Sequence, residues 1–386
     1  MAGVKKKTAP RNLAPEMLHT AARLEDRYHA WAREKATKRG WHRTVIAYDS
    51  YGSENFIRVL ARVVLTKTGQ PAADTQASIR GWRSFGNVPL SDDHAWVRVN
   101  GAEHMVTADR GGIVDAIIPG EFEPGNVEIE LWTDDSLVDT ANVRIIGQEQ
   151  GFGIVSDIDD TVMVTALPRP FLAAWNTFVL DEHARSPVAG MSVLYDRLTY
   201  LRPNSPILYL STGPWNVAPT LKRFLTRNMY PVGPLLLTDW GPTATRAFRS
   251  GQDHKRANLR RLWQDFPDIH WLLVGDDGQH DPKLYSDFAE DHPDIVELIA
   301  IRELTPAEQV LSHGIPVSNE ELQPIERINA TTPVYRAPDG YGLAQRLRSA
   351  FHAGDAGAHH HPEVEESAAH AEAVAAQPGR DDQNPL

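Results

Sequence analysis

The chain has 386 residues, 41% hydrophobic and 23% charged, with no cysteine and a formal net charge of −12. That length asks for two folded domains plus tails, and that composition is of a globular protein. The missing cysteine excludes disulfides, thiol nucleophiles and thiolate metal sites, and the acidic balance argues against a nucleic-acid binder.

The charge is uneven. Residues 1–43 hold eleven Lys/Arg against four Asp/Glu, a net of +7, and residues 354–386 hold one Arg against seven acids, a net of −6. Three lysines lie within Met1–Lys7, but no apolar signal core follows, and no run is long enough to cross a bilayer. The sequence therefore reads as cytoplasmic, with peripheral contact to an anionic membrane open to the basic end. It assigns no oligomeric state.

From Leu13 to Lys38 the residues Leu13, Met17, Ala21, Leu24, Tyr28 and Trp31 recur at three- and four-residue steps, which predicts a helix. It is expected either to pack on the body with a solvated basic end or to dock on anionic lipid. Residues 44–148 change to strand period: Val127, Ile129 and Leu131 alternate with Glu128 and Glu130, and Gly/Asn/Asp/Pro clusters separate the runs. This predicts a β-rich, sandwich-like domain, with Trp82, Trp96 and Trp132 expected in its core in preference to lining a ligand groove. Residues 149–330 read as α/β. Apolar strands at 153–156, 206–210, 235–237, 271–274 and 296–301 each end in polar loops, with helical stretches at 216–228 and 254–266 between them. That alternation predicts a parallel sheet with helices on both faces, with ligands at the carboxyl ends of its strands. Phe171, Leu172, Trp175, Phe178 and Val179, at helical spacing, read either as plain core or as the apolar lip of a small cap near residues 162–205. Residues 331–353 form a C-terminal extension, and 354–386 an acidic disordered tail containing His359, His360 and His361.

The candidate chemistry begins at Asp157-Ile158-Asp159-Asp160-Thr161. Spacing of two lets both carboxylates of Asp157 and Asp159 face one pocket at a strand end. A carboxylate attacking an anionic phosphoryl group needs a cation such as Mg²⁺. One acid can then be the nucleophile, and the other can protonate the leaving oxygen. Alone, the run fits a calcium loop or an acidic turn equally well. Three further features shift that balance. Ser211 follows the apolar run Ile207–Leu210; Lys255 stands before a helical stretch; and Gly275-Asp276-Asp277-Gly278-Gln279-His280-Asp281 follows Trp271–Val274.

The order of acid pair, hydroxyl, lysine and acid pair resembles the haloacid dehalogenase-like phosphatases. With Tyr209-Leu210-Ser211-Thr212-Gly213-Pro214-Trp215 and Leu237-Thr238-Asp239-Trp240-Gly241, it resembles more narrowly the bacterial members of the actin-patch-associated phosphatidate phosphatase family. The resemblance covers residues 150–310. It implies Asp157 as nucleophile and Asp159 as general acid/base with a main-chain carbonyl toward the metal. It implies Thr161 as loop support, Ser211 as phosphoryl-binding hydroxyl, Lys255 as charge-balancing lysine and Asp276 as metal ligand. Asp281 is expected in the metal shell, Asp160 as a turn cap, and Asp277 as either a turn carboxylate or a metal contact. The expected cofactor is Mg²⁺ and the implied substrate phosphatidate. The residues by themselves specify only a phosphate monoester, so a soluble phosphometabolite or phosphoprotein stays open. So does a non-catalytic lipid- or partner-binding protein on a phosphatase fold.

Overall fold

The computed structural model describes residues 27, 30–67, 69, 87–164, 186–238, 244–278, 280–305, 308 and 332–354. The expected cap helix, Trp82, the Asp239–Gly241 run and the histidine-bearing tail lie outside them. The chain divides into two compact units, Met1–Leu343 and Ala344–Leu386. The second is described only as the continuation of a helix to Gly354.

Residues 30–38 form helix α1. It stops at Gly40, whose φ of 72° is open to glycine without a side-chain clash. The N–H groups of Gly40 and Trp41 close back on the carbonyls of Thr37 and Ala36, a Schellman ending. Ala36 belongs to the core of the domain that follows, and Arg33 donates to Ser91 Oγ at 3.1 Å. This part of the basic segment is thus packed on the body.

The β-rich domain comprises β1 (His42–Tyr48), β2 (Ser50–Ser53), β3 (Phe56–Thr66), β4 (Val88–Pro89), β5 (His94–Val99), β6 (Ala102–Thr107), β7 (Ile113–Pro119), β8 (Gly125–Trp132) and β9 (Asp139–Ile146). They unite in one nine-stranded sheet of order β1-β3-β2-β9-β8-β5-β6, with β4 and β7 also paired to β3. All its pairings are antiparallel except β2 with β9. Period-two side chains send Val45, Val59, Val97, Ile129, Leu131 and Val143 into one buried cluster. The alternation read from residues 127–131 therefore lands on the core face as expected. The tryptophans do not: Trp96 and Trp132 stand opposite each other on the outer, half-buried face. The reason is their register, one residue out of phase with Val97 and Leu131. Trp96 Nε1 donates to Asp134, and the Arg98 guanidinium lies 4.7 Å from the Trp132 ring.

The second sheet is parallel throughout, in the order β14-β13-β10-β15-β16-β17. Its strands are β10 (Phe152–Asp157), β13 (Ile207–Pro214), β14 (Leu235–Thr238), β15 (His270–Asp276), β16 (Val296–Arg302) and β17 (Val334–Ala337). Strands β11 (Met163–Val164) and β12 (Ser186–Pro187) form a short antiparallel stem beyond β10. The helices are α2 (Met191–Leu201), α3 (Ala218–Arg227), α4 (Ala244–Asp265), α5 (Asp281–Asp291) and α6 (Gly340–Gly354). Within the span expected as a cap, α2 is the crossover from β10 to β13, with Met191, Leu194, Tyr195 and Leu198 buried. The extension after residue 330 supplies β17 to the same sheet. The chain adds strands on one side of β10 and then on the other. This makes β10 the switch point where a ligand crevice opens.

The two sheets are joined by an ion cluster centred on Arg58. This guanidinium donates to Asp115 Oδ1 at 2.6 Å and to Asp265 Oδ2, at the end of α4, at 3.1 Å. Tyr51 OH donates to the same Asp265 oxygen at 2.8 Å, and Arg261 of α4 reaches Asp115 Oδ2 at 2.9 Å. Tyr48 stacks on Trp215 with ring centroids 4.6 Å apart. Removing one partner from a buried charge cluster costs about 3 kcal/mol. Arg58→Met is therefore expected to lower the urea midpoint of unfolding by the equivalent of that amount. An unchanged midpoint would show that packing alone joins the sheets.

Candidate active site

Three neighbouring strands converge on the site. Asp157 ends β10, Ser211 stands in β13 where its register with β14 shifts, and Asp276 ends β15. After Asp157 the chain turns tightly. Val162 and Met163 donate to Ile158 O, and Asp160 N donates to Met163 O, with Asp160 in the left-handed region at φ 59°. Asp157, Asp159, Asp160, Thr161, Ser211, Lys255, Asp276 and Asp281 are all buried.

Lys255 organises the acids. Its Nζ donates to Asp157 Oδ1 and to Asp281 Oδ1, each at 2.6 Å. The sequence placed Lys255 at the start of the helical stretch 254–266; it lies instead in the interior of α4, a helix of 22 residues that begins at Ala244. The polar stretch before residue 254 hid the first turns, because charged and small residues form helix without an apolar stripe. Asp281 opens α5. It folds back over Gly275, where an added Cβ would lie 2.7 Å from Asp281 Oδ2, so the glycine leaves room for the acid. Ser211 Oγ donates to Asp159 Oδ2 and accepts from Gly213 N, both at 2.9 Å. Asp159 is thus drawn to the serine and stands apart from the three-acid group.

Carboxylate oxygens of Asp157, Asp276 and Asp281 lie within 4.8 Å of one another. Asp157 Oδ2, both oxygens of Asp276 and Asp281 Oδ2 are buried with no hydrogen-bond donor. One lysine cannot balance three buried carboxylates. Burial pushes the Asp157 carboxyl well above its ordinary range; Lys255 opposes this, and the Asp281 and Asp159 charges add to it. Burial raises Asp276 in the same way, reinforced by Asp281 and Asp157. Burial alone would lower the Lys255 ammonium, but Asp157 and Asp281 more than offset it and hold it protonated. Such a cluster takes up either protons or a cation. Carboxylate oxygens this close together could hold a single divalent cation.

Sequence reasoning missed the groups that hold the loop. Ser156 Oγ donates to Asp157 O at 2.7 Å and is 2.6 Å from Tyr195 OH. Having spent its one proton, the serine accepts from the tyrosine. Tyr230 OH donates to Val162 O at 2.8 Å, and Arg302 Nη1 to Asp160 O at 2.7 Å. Arg302 follows an apolar strand directly, the same signal that singled out Asp157 and Asp276. Asp277 is structural at one oxygen at least, since its Oδ1 accepts Leu304 N–H at 2.8 Å.

His254 lies beside Lys255 on α4, packed on Asn258 and facing Leu236 O. Burial lowers its pKa to about 4. The unfolded imidazole binds its proton near pH 6.5, so between those values only the unfolded chain is protonated. Stability is expected to be flat in this respect above pH 6.5 and to fall by up to about 3 kcal/mol toward pH 4. His254→Asn should flatten that limb in urea titrations across this range, and an unaltered slope would place the loss elsewhere.

Residues 152–303 match the family described as phosphatidate phosphatase APP1, catalytic domain. An uncharacterized protein of Schizosaccharomyces pombe is 24% identical over 200 residues, covering 50% of this chain and 33% of its own length. The phosphatidate phosphatase APP1 of Saccharomyces cerevisiae is 26% identical over 237 residues, covering 60% of this chain and 40% of its own. The chain thus spans two fifths or less of these curated relatives. Among solved structures, a carbohydrate acetylesterase from Xanthomonas citri aligns with 77% of this chain and 71% of its own, at 11% identity and a TM-score of 0.28, a likeness too slight to carry an argument. The matched stretch contains Asp157, Asp159, Ser211, Lys255, Asp276 and Asp281, and is similar to the catalytic domain of the phosphatidate phosphatase APP1 family.

Proposed function

We propose that this chain is a Mg²⁺-dependent phosphatidate phosphatase working through an aspartyl-phosphate on Asp157. The observation that carries the reading is the buried bridge from Lys255 to Asp157 and Asp281 beside Asp276, with its undonated carboxylate oxygens, inside the stretch similar to that family's catalytic domain.

Lys255 engages Asp157 Oδ1 and leaves Oδ2 without a donor, so Oδ2 is the oxygen disposed to attack phosphorus. The P–O bond to the leaving alkoxide breaks as the bond to Asp157 forms. Asp159 gives that alkoxide its proton and then removes one from the water that hydrolyses the aspartyl-phosphate. Lys255 offsets negative charge gathering on Asp157 and the phosphoryl oxygens. Asp157 and Asp276 would hold the ion, with the Asp159 main-chain carbonyl and Asp281 as further ligands. Bound Mg²⁺ would cancel the repulsion between phosphoryl group and acids.

The test is turnover of a chromogenic phosphate ester with and without Mg²⁺. Asp157→Asn is expected to lower kcat by on the order of 10⁴-fold or more, Asp159→Asn to fail most on poor leaving groups, and Asp276→Ala to need more metal. Calcium should inhibit, because its looser shell misplaces the oxygens. Full activity in excess chelator, or near wild-type turnover by Asp157→Asn, would sink the reading. Competition by phosphatidate vesicles against soluble esters separates the lipid from a phosphometabolite.

A lipid substrate in an anionic surface repels a chain of net charge −12, so local basic residues must offset that repulsion. No helix among the described residues is long and apolar enough to cross a membrane. The basic segment of residues 1–43 is the proposed contact, each basic group near such a surface contributing about 1 kcal/mol. Removing residues 1–26 spares the packed α1 and is expected to weaken sedimentation with acidic vesicles while leaving soluble-ester turnover unchanged. Unchanged sedimentation would move the contact elsewhere.

A further inference from the structure

We infer that Arg302 is a positioning residue that fixes the distance between the nucleophile loop and the Asp276 acid, and so sets the size of the cation site. Arg302 is the last residue of β16 and pairs in register with Asp276 of the parallel strand β15. Asp277 N–H donates to its carbonyl at 3.0 Å. Its backbone is therefore fastened to the strand end that carries one half of the acid cluster. Its side chain is 7% exposed and reaches the other half. Nη1 donates to Asp160 O at 2.7 Å, Nη2 to Glu308 Oε1 at 2.7 Å, and Nε to Pro338 O at 3.2 Å.

Three acceptors in three directions leave the guanidinium no freedom to swing. Glu308 is itself held, because its other oxygen accepts the Thr305 N–H and hydroxyl, each at 2.9 Å. What the fork grips is the strained part of the loop. Asp160 is a buried non-glycine residue at φ 59°, a conformation that persists only where its surroundings over-determine it. Met163 O binds its N–H, and Arg302 binds its carbonyl. Asp157 and Asp159 lie within three residues of that grip. A lysine keeps the charge but cannot serve the fork, since an ammonium is a point donor.

The activity part of this inference rests on the proposed phosphatase reading; the binding part does not. The experiment takes the full chain with Arg302→Lys and Arg302→Gln and titrates Mg²⁺ by calorimetry without substrate. Thermal unfolding and kcat and KM for a chromogenic ester are measured on the same preparations. Mg²⁺ affinity is expected to fall about tenfold or more in both variants, with kcat falling and KM within twofold of wild type. A residue that merely stabilised the fold would lower the melting temperature and leave Mg²⁺ affinity and the kcat-against-KM pattern of the folded protein unchanged. That result overturns the inference, as would a wild-type chain that binds no Mg²⁺. Should the glutamine variant not fold, the lysine variant decides. If wild type binds Mg²⁺ yet hydrolyses no ester, the phosphatase reading fails and calorimetry alone decides the role of Arg302.

Discussion

One buried ammonium between two carboxylates governs this molecule. The Lys255 contacts to Asp157 and Asp281 have fractional side-chain exposures of 4%, 1% and 2%, so water does little to screen them. Asp276 adds a third acid at the same place with no lysine of its own. Removing charges from water is costly, and the lysine repays it for only part of the set. The cluster therefore takes up either protons or a further cation, and the fold around it consists largely of devices that hold mutually repelling groups together. The hydroxyls of Ser156, Tyr195 and Tyr230 and the guanidinium of Arg302 all bind main-chain carbonyls of the loop or support the group that does.

The same lysine ties the β-rich domain to the site. Lys255 rides on α4, and two later residues of that helix, Arg261 and Asp265, engage Asp115, Arg58 and Tyr51 of the nine-stranded sheet. A helix is stiff along its axis, so fastening its far end also fixes the ammonium some ten residues, about 15 Å, away. The domain carries no acid cluster of its own among the described residues. Its contribution to the site is mechanical.

Strand ends were the legible part of the sequence. Asp157, Asp276 and Ser211 follow short apolar runs, and such runs mark buried parallel strands whether or not the neighbours are known. Helix limits were less legible, as α4 shows: its first turns carry Thr245, Arg246, Arg249 and Gln252, which announce no buried face. The outward tryptophans show the opposite failure. Trp96 and Trp132 are large enough to suggest a core, but a period of two ties their direction to Val97 and Leu131, and the smaller residues took the inside. Arg302 and Tyr230 act through main-chain carbonyls far along the chain, a role that leaves no spacing rule in the sequence.

Synthesis runs from the amino end, and domains tend to fold as they emerge. The β-rich sheet is complete at Ile146, once β9 has paired with β2, while Arg261 and Asp265, which will dock on it, are still more than a hundred residues from being made. Arg58 would spend that interval on an uncovered sheet face with its helical partner Asp265 missing. Asp115, on the neighbouring strand β7, already answers it from within the same domain. The domain thus carries its own counterion for the surface that the helix later buries.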